Sequence, residues 1–353
     1  MQDATADFPS PSQSNAAVKV AEAFAERREN VVVYSTLSPE TVRRVVAQSY
    51  DGAQPLGCVL YQRGGVNDIY LLSTTERKFA LRVSRANTRG RDAVTEELSI
   101  LETLGRLGVD VVKPKRRRDR EFVTEIRAPE GIRHAVMFEW IGGNALKYTA
   151  EHALRLGRLV GKLHDVSDQL PPEAARPELG LETLLEAPLR IVQPRIAAMP
   201  QIAEPLAALA ERVRSRYREA ATGARDWGFC HGDIHSGNAR IEGEAPMLFD
   251  FDSCGPGLRL YDLATYKLAA KREGAEYPAW DAFVEGYLQT RPGRVDSFEY
   301  LGLFMTLRYF WLMGQWMLLS ADAGVSFLPD EFFENLVPFC EGIEADTGRP
   351  QRA

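Results

Sequence analysis

The stretch Gly228–Ala264 reads GFCHGDIHSGNARIEGEAPMLFDFDSCGPGLRLYDLA, and the rest of the chain is organised around its polar residues. Asn238 follows Asp233 by five residues, and Asp250 follows that amide by twelve. The short apolar runs between Asn238 and Asp250 predict a strand, a turn and a second strand. An acid, an amide and a second acid, joined in this way, suit a reaction in which a divalent cation holds a phosphate and a carboxylate faces a hydroxyl.

The composition is that of an ordinary globular protein. The 353 residues are enough for two lobes, and with 45% hydrophobic and 26% charged residues the chain can bury a large core. The net charge of -6 does not favour nucleic-acid binding. Residues 151–353 carry 30 acidic against 21 basic side chains, which slightly favours a cationic substrate.

Cysteine spacing and apolar runs indicate the expected cellular location of the protein. The four cysteines are far apart and form no Cys-x-x-Cys, which predicts reduced thiols in a cytoplasmic protein. The first residues are polar and do not resemble a secretory signal. The longest apolar run, Tyr309–Leu319, is too short to span a bilayer and is interrupted by Gly314 and Gln315. We therefore expect neither a membrane nor a nucleic acid among the partners.

The periodicity of apolar residues predicts an α+β protein with two lobes. Residues 1–30 are expected to form a disordered lead and a helix, and residues 31–137 a small antiparallel sheet with one long helix. Residues 138–143 are the expected connector, and residues 144–345 the larger, mostly helical lobe. Helical periods predict five helices, at Arg91–Gly108, Glu151–Ser167, Gln201–Ala221, Trp280–Thr290 and Phe298–Ser320.

Two local signals refine this layout. Ser38-Pro39-Glu40 is typical of a helix start, because proline suits the first helical turn. The basic run Lys113–Arg118 is compatible with binding phosphate or RNA, but an exposed hairpin is the simpler interpretation.

The segment His231–Asn238, followed by Asp250-Phe251-Asp252, resembles the catalytic and metal loops of the aminoglycoside phosphotransferase and choline kinase family. The resemblance implies a bilobal, protein-kinase-like fold and transfer of the γ-phosphate of ATP to a hydroxyl group with the help of Mg²⁺. It makes Asp233 the catalytic base, and Asn238 and Asp250 the Mg²⁺ ligands.

Three neighbouring residues take supporting roles in the same resemblance. His235, two residues after the base, would help to hold the transferred phosphate. Asp252 would lie behind the metal or bind a second one. Asp262 matches an acid of the family that braces the catalytic loop.

The nucleotide-binding residues implied by the resemblance lie upstream. Gly64, Gly65 and Asn67 are placed like the loop that covers the phosphates, although a plain hairpin turn would look the same. Arg82 occupies the position at which the family carries a phosphate-pairing lysine. Because a guanidinium is a fork and an ammonium a point charge, the geometry of this contact with phosphate is less defined.

The long helix and the connector complete the expected ATP site. Glu97 matches the helix glutamate that pairs with the cation on the third strand, and Glu96 is the alternative one residue away. Phe138, Glu139 and Trp140 resemble the hinge strand whose backbone meets adenine. Without the resemblance, the two glutamates would be interpreted as a solvated helix face.

The acceptor is less defined than the chemistry. Leu181–Leu185, Leu307–Trp311 and the helix start at Thr36–Thr41 resemble the bacterial stress-response Ser/Thr kinase branch, and type II homoserine kinases share the plan. We expect a Ser/Thr-type hydroxyl of a peptide or protein; an amino alcohol, homoserine or an aminoglycoside is the alternative. Candidate acceptor contacts are Trp280, Asp281, Glu285, Trp311 and Trp316.

Two other interpretations remain open at this point. His231, Asp233 and His235 alternate as zinc ligands on one face of a strand would, which would indicate a hydrolase. That interpretation leaves Asn238 and Asp250 without a role. A fold that binds a nucleotide without catalysis is the second, although all three polar residues of the expected site are present.

Overall fold

The computed structural model describes residues 32–52, 54–63, 65–170, 176–222, 226–293, 298–323 and 328–344. The chain divides into two compact units. The first runs to Ala93 and includes Lys115–Phe138, and the second contains Val94–Pro114 and everything from Glu139 onwards. The lead and helix expected at residues 1–30 lie outside the described residues, and the lobe boundaries expected from the sequence stay a prediction.

A six-stranded sheet is built almost entirely from residues of the first unit. Its order is β1-β2-β3-β6-β4, and β5 also pairs with β6. The β1–β2, β2–β3 and β5–β6 pairs are antiparallel, as the sequence predicts. The strands are β1 Gly57–Arg63, β2 Asn67–Ser73, β3 Lys78–Ser84, β4 Pro114–Lys115, β5 Thr124–Ala128 and β6 Gly131–Glu139.

Helix α1, Pro39–Ser49, packs on this sheet. Its start is the predicted one, since the hydroxyl of Ser38 accepts a hydrogen bond from the amide of Thr41 and Pro39 occupies the first turn. Val42 and Val46 of the helix join a buried cluster with alternate residues of the strands, including Tyr70 and Leu72 of β2. The alternation along β2 explains why one face of the sheet is apolar.

The basic run has a structural use in the first unit. Arg118 donates hydrogen bonds to the carbonyls of Ala47 and Gln48 at the end of α1, at 3.1 and 3.2 Å, and pairs with Asp51 at 2.7 Å. A guanidinium at a helix C-terminus satisfies carbonyls that have no partner within the helix. Arg118 therefore has a structural role at the end of α1, and the expectation that the run does not bind RNA stays a prediction.

Helices dominate the second unit. The five predicted helices are confirmed, with boundary shifts of a few residues. Leu260–Arg272 is an additional helix that lacks an apolar stripe because nearly all its sides are buried. Among the described residues, no helix combines the length and apolar character needed to cross a membrane. The helices are α2 Arg91–Arg106, α3 Ala150–Val166, α4 Ala187–Ile196, α5 Pro200–Thr222, α6 Leu260–Arg272, α7 Glu276–Thr290, α8 Leu301–Ala323, α9 Asp330–Glu334 and α10 Leu336–Glu344.

Two small sheets in the second unit hold the loops between these helices. One has the order β10-β9-β7, and in the other β11 pairs with β8. The β9–β10 hairpin is the predicted strand-turn-strand. These strands are β7 Asn144–Ala145, β8 Trp227–Cys230, β9 Ala239–Glu242, β10 Ala245–Leu248 and β11 Gly255–Leu258.

Candidate active site

The predicted catalytic loop follows β8 as an irregular segment and ends in a 3-10 turn at Ser236–Asn238. Gly232 has a φ of +81°, and a Cβ atom there would lie 2.2 Å from the carbonyl oxygen of Ser253. Both the left-handed backbone and the close approach require glycine. This explains why a glycine stands between His231 and Asp233.

Asp262, near the start of α6, holds the loop from below. Its two carboxylate oxygens accept the backbone N–H groups of His231 and Gly232, both at 2.7 Å. His164 Nε2 lies 2.9 Å from Oδ2 of the same carboxylate, and Tyr287 lies 3.0 Å from the other ring nitrogen. Burial lowers the pKa of His164, so the neutral ring donates to Asp262. The expected bracing role of Asp262 matches these contacts.

His231 is a structural residue of the loop. Its Nδ1 accepts the amide of Asp233 at 3.2 Å, so the ring proton is on Nε2, which lies 3.1 Å from the carbonyl oxygen of Phe249. Burial lowers the pKa of the ring and keeps it neutral. Because both ring nitrogens are engaged and the segment is not a regular strand, the zinc interpretation does not fit.

Asp233, the expected base, makes an ion pair that the sequence analysis did not predict. Arg308 of α8 donates to its Oδ1 and also to the carbonyl of Gly232, the latter at 3.2 Å. Burial raises the pKa of the Asp233 carboxyl, but the Arg308 guanidinium, followed by His235, outweighs this effect and lowers it overall. Asp233 is therefore ionised at neutral pH.

A signal for Arg308 exists in the sequence. It is the only charged residue in Leu301–Phe310. The positions three and four residues before and after it hold no acidic residue. A buried cation without a partner on its own helix must find one elsewhere in the fold. That reasoning predicts a carboxylate partner but does not say which one.

His235 lies beside the base. Its Nδ1 accepts the amide of Gly237 at 3.0 Å, which leaves Nε2 as the protonated nitrogen, 3.7 Å from Oδ1 of Asp233. Burial lowers the pKa of His235 more than Asp233 raises it. The ring is neutral at physiological pH and its Nε2 is a donor next to the expected base.

The β9–β10 hairpin brings together the two expected metal ligands. Ala239 pairs with Leu248, and one step further the amide of Phe249 donates to the carbonyl of Asn238 at 3.1 Å. Asn238 and Asp250 are thus neighbours in space although they are twelve residues apart. Asp250 has a φ of +66°, a conformation that non-glycine residues adopt rarely and that is enriched at functional sites.

The donor set fits a hard divalent cation. The amide nitrogen of Asn238 donates to the backbone carbonyl of Asp233 at 3.0 Å, so Oδ1 is the atom of this side chain that would coordinate a metal. An amide oxygen and the Asp250 carboxylate are ligands that Mg²⁺ accepts together with phosphate oxygens. Arg176 supports the segment after Asp250, donating to the carbonyls of Asp252 at 2.5 Å and Cys254 at 2.9 Å. The sequence analysis did not identify Arg176.

The expected phosphate-binding residues of the first unit lie on or next to the sheet. Gly64 is outside the described residues. Gly65 precedes β2, and its carbonyl accepts a hydrogen bond from Arg85 at 2.9 Å. Asn67 opens β2, and Arg82 lies on β3 with its guanidinium 5.3 Å from the centroid of the Phe138 ring.

The remaining nucleotide-site residues belong to the second unit. Glu97 is 0% exposed and lies on the buried side of α2, whereas Glu96 is half-buried. The amide of Glu139 donates to the carbonyl of Lys113 at 3.0 Å. Trp140 lies next to the guanidinium of Arg240, with 5.6 Å between that group and the ring centroid. Their roles towards ATP stay predictions.

One expected acceptor contact is wrong and another lies near the base. Trp280 is only 3% exposed and stacks on Phe283 in the core, so it is a packing residue. Trp311 is half-buried, and its ring centroid lies 4.3 Å from the Arg308 guanidinium. Trp316 contacts Arg272 and the rings of Tyr309 and Phe332. Asp281 and Glu285 lie on α7, half-buried and exposed respectively.

This fold and site define a kinase-like phosphotransferase. A model of the phosphotransferase enzyme family (APH) matches residues 58–295. An uncharacterized protein of Deinococcus radiodurans is 38% identical over 307 residues, which are 86% of this chain and 89% of that protein. The chain therefore belongs to the phosphotransferase enzyme family.

Two solved structures show the same fold. The microcompartment-associated aminopropanol kinase has a TM-score of 0.69 and 21% identity, over 87% of this chain and 99% of that one. Amicoumacin kinase hAmiN, in complex with AMP-PNP, Ca²⁺ and Ami, has a TM-score of 0.66 and 17% identity, over 87% and 93%.

The comparisons test several expectations from the sequence. The aminoglycoside phosphotransferase and choline kinase family, the protein-kinase-like α+β fold and the enzyme class, an ATP-dependent phosphotransferase acting on a hydroxyl, are confirmed. The narrower likeness to the stress-response branch and to type II homoserine kinases stays a prediction.

Proposed function

We propose that the chain transfers the γ-phosphate of ATP to a hydroxyl group of a small molecule in the cytoplasm, with Mg²⁺ as the metal. The observation that carries the proposal is the arrangement at the hairpin. An ionised carboxylate, Asp233, lies beside the amide Asn238, and the hairpin places Asp250 next to that amide. This is the set of groups that phosphoryl transfer to an alcohol requires.

Asp233 has the role of receiving and orienting the acceptor hydroxyl. Its lowered pKa makes it a weak base, which is sufficient because the transition state of phosphoryl transfer is loose and the proton leaves the hydroxyl late. The main demand is in-line positioning of the oxygen nucleophile. The neutral His235 Nε2–H, on the same side as Oδ1 of Asp233, is suited to donate to a phosphate oxygen.

Asn238 Oδ1 and the Asp250 carboxylate would hold Mg²⁺, which supplies charge neutralisation of the phosphates when bound. On the nucleotide side, Gly64, Gly65 and Asn67 are proposed to cover the phosphates. Arg82 is proposed to pair with the phosphates and with Glu97, whose complete burial distinguishes it from Glu96. The backbone of Phe138–Trp140 is proposed to receive adenine.

A small alcohol is a better candidate acceptor than a protein. The two similar structures are described as kinases of aminopropanol and of amicoumacin, and neither description names a protein substrate. The alternative acceptor from the sequence analysis, an amino alcohol, homoserine or an aminoglycoside, is therefore favoured over a peptide or protein Ser/Thr.

An acceptor panel tests the proposal. ADP release from Mg-ATP is measured with aminopropanol, ethanolamine, choline, homoserine, an aminoglycoside and a Ser/Thr peptide, each beside the no-acceptor rate. We expect at least one small alcohol to raise the rate by about tenfold or more, since a positioned hydroxyl is a far better nucleophile than bulk water. A rate that responds only to the peptide, or to no compound in the panel, would contradict the small-molecule proposal.

A further inference from the structure

Arg308 makes an unusual connection between a helix of the second unit and the catalytic loop. Its side chain is 7% exposed. Nη1 donates to the carbonyl of Gly232 at 3.2 Å, and Nη2 donates to Oδ1 of Asp233. The guanidinium also lies over the ring of Trp311, 4.3 Å from its centroid. Arg308 lies beyond residues 58–295, the part of the chain that the family model matches.

The geometry of this contact restricts the carboxylate. One planar guanidinium holds both the backbone carbonyl before Asp233 and the side chain of Asp233 itself. Two bonds from one rigid, planar fork fix direction as well as distance, which a point charge does not do. Arg308 of α8 therefore restrains the side chain of Asp233, and one of the two carboxylate oxygens, Oδ1, is engaged in this contact.

The environment of Arg308 is arranged to keep it in place. The hydroxyl of Tyr261, a residue that is 1% exposed, interacts electrostatically with the guanidinium. Trp311 covers one of its flat faces. A desolvated ion pair of this kind costs free energy unless its hydrogen bonds are well made, so it is poor evidence for stabilisation alone. That cost favours a functional reason for the pair.

We infer that Arg308 is a positioning residue: it holds Oδ1 of Asp233 so that the second carboxylate oxygen faces the acceptor hydroxyl. The inference rests on the proposed function for its kinetic consequence, but the Arg308–Asp233 coupling is measurable without any phosphate transfer. It assigns a role to α8 that is separate from binding the acceptor. Because the charges of Arg308 and Asp233 cancel, the acidic composition of residues 151–353 does not describe the local charge at Asp233.

Kinetics of Arg308→Met and Arg308→Lys test the role. With a working acceptor, Arg308→Met is expected to lower kcat by about 10²-fold, the size of effect that a misplacement of about 1 Å produces. The KM for ATP should stay near the wild-type value. Arg308→Lys should recover only part of kcat, because an ammonium lacks the planar fork that binds both the carbonyl oxygen of Gly232 and Oδ1 of Asp233. Added guanidinium, far below unfolding concentrations, should raise kcat of Arg308→Met only.

Arg291→Met is the matched control. Arg291 is also buried, with 1% of its side chain exposed, and it pairs at 2.9 Å with Asp226, which precedes β8 and is not part of the loop. This variant should lose stability but keep kcat near the wild-type value and show no guanidinium effect. If Arg308→Met keeps the wild-type kcat, or if guanidinium raises both variants alike, the positioning role is wrong.

A thermal-unfolding cycle with the wild type, Arg308→Met, Asp233→Asn and the double variant needs no activity. The drop in Tm caused by Arg308→Met should be clearly smaller in the Asp233→Asn background than in the wild type, because the partner is already gone. Equal drops would show that Arg308 does not act through Asp233 and would overturn the inference. If the Tm values show coupling between Arg308 and Asp233 but no acceptor receives phosphate, the proposed function is refuted while the Arg308–Asp233 pairing is confirmed.

Discussion

The segment Trp227–Leu258 and helix α8 contribute to the same site in opposite ways. In the first, functional residues are polar, closely spaced and held in special backbone conformations, such as Gly232 and Asp250 at positive φ. In the second, the residues from Leu301 to Phe310 look like plain core, and Arg308 is the one charged side chain among them. In our proposal the segment carries the chemistry, while the helix fixes the direction in which Asp233 points.

The difference between the segment Trp227–Leu258 and helix α8 shows how far substitutions can change stability without changing function. A packing residue of α8 can change without moving the guanidinium, because the contact with the loop is made by one side chain. In the segment Trp227–Leu258, backbone geometry and the expected function coincide, because Asp262 and Ser253 constrain His231 and Gly232, the two residues directly before Asp233. Substitutions in the two regions should therefore have different signatures.

Phe310→Ala should give the largest loss of stability. Phe310 is 0% exposed in α8, and removing a buried phenyl ring costs about 3–5 kcal/mol of unfolding free energy. The kcat per folded molecule should stay near the wild-type value, since no contact of the loop is lost. Denaturant unfolding and active-site-corrected kinetics measure the two quantities. Gln315→Ala, half-buried on the same helix, is the control, and a kcat loss without a stability loss would contradict the separation.

Gly232→Ala should damage both quantities together. A left-handed backbone costs a residue with a Cβ about 1–2 kcal/mol, and the clash with the carbonyl oxygen of Ser253 adds about 1–3 kcal/mol. Gly243→Ala is the matched control, because Gly243 also has a positive φ but no atom of the described residues lies within 4 Å of its added Cβ. Both variants are compared by chemical denaturation and kcat. Equal losses in the two would show that the contact with Ser253 is unimportant.

The pH dependence of stability is the smallest expected effect. Burial holds the pKa of His164 below its ordinary value of about 6.5, so the unfolded chain binds more protons there. The contribution of the neutral His164 ring to the free energy of unfolding is present above about pH 6.5. It is lost as the pH falls below this value, by at most about 1.4 kcal/mol per pH unit. His164→Asn should make the curve between about pH 7.5 and 5.5 shallower. An unchanged slope would mean that His164 is not buried as a neutral ring.

Much of the catalytic segment was predictable because its information is local. The spacing of Asp233, Asn238 and Asp250 and the apolar runs between them define a hairpin, and the hairpin brings the two expected metal ligands together. The start of α1 was equally visible in Ser38 and Pro39, since caps act within one turn.

Contacts over long sequence distances were not predictable in the same way. Arg308 pairs with a residue 75 positions earlier, and Arg176 bonds to backbone carbonyls 76 and 78 positions later. Trp280 was expected at the acceptor and is in the core, because an aromatic residue on a helix gives no sign of which side is covered.

The most direct test of the phosphotransferase account is single-turnover transfer by Asp233→Asn, with Mg-ATP binding measured by calorimetry. We predict ATP affinity close to the wild type and a transfer rate lower by about 10²–10⁴-fold, the usual contribution of a positioned base. Asp165→Asn, at an exposed position of α3, should transfer at the wild-type rate. Transfer by Asp233→Asn at the wild-type rate would show that this carboxylate does not face the acceptor hydroxyl.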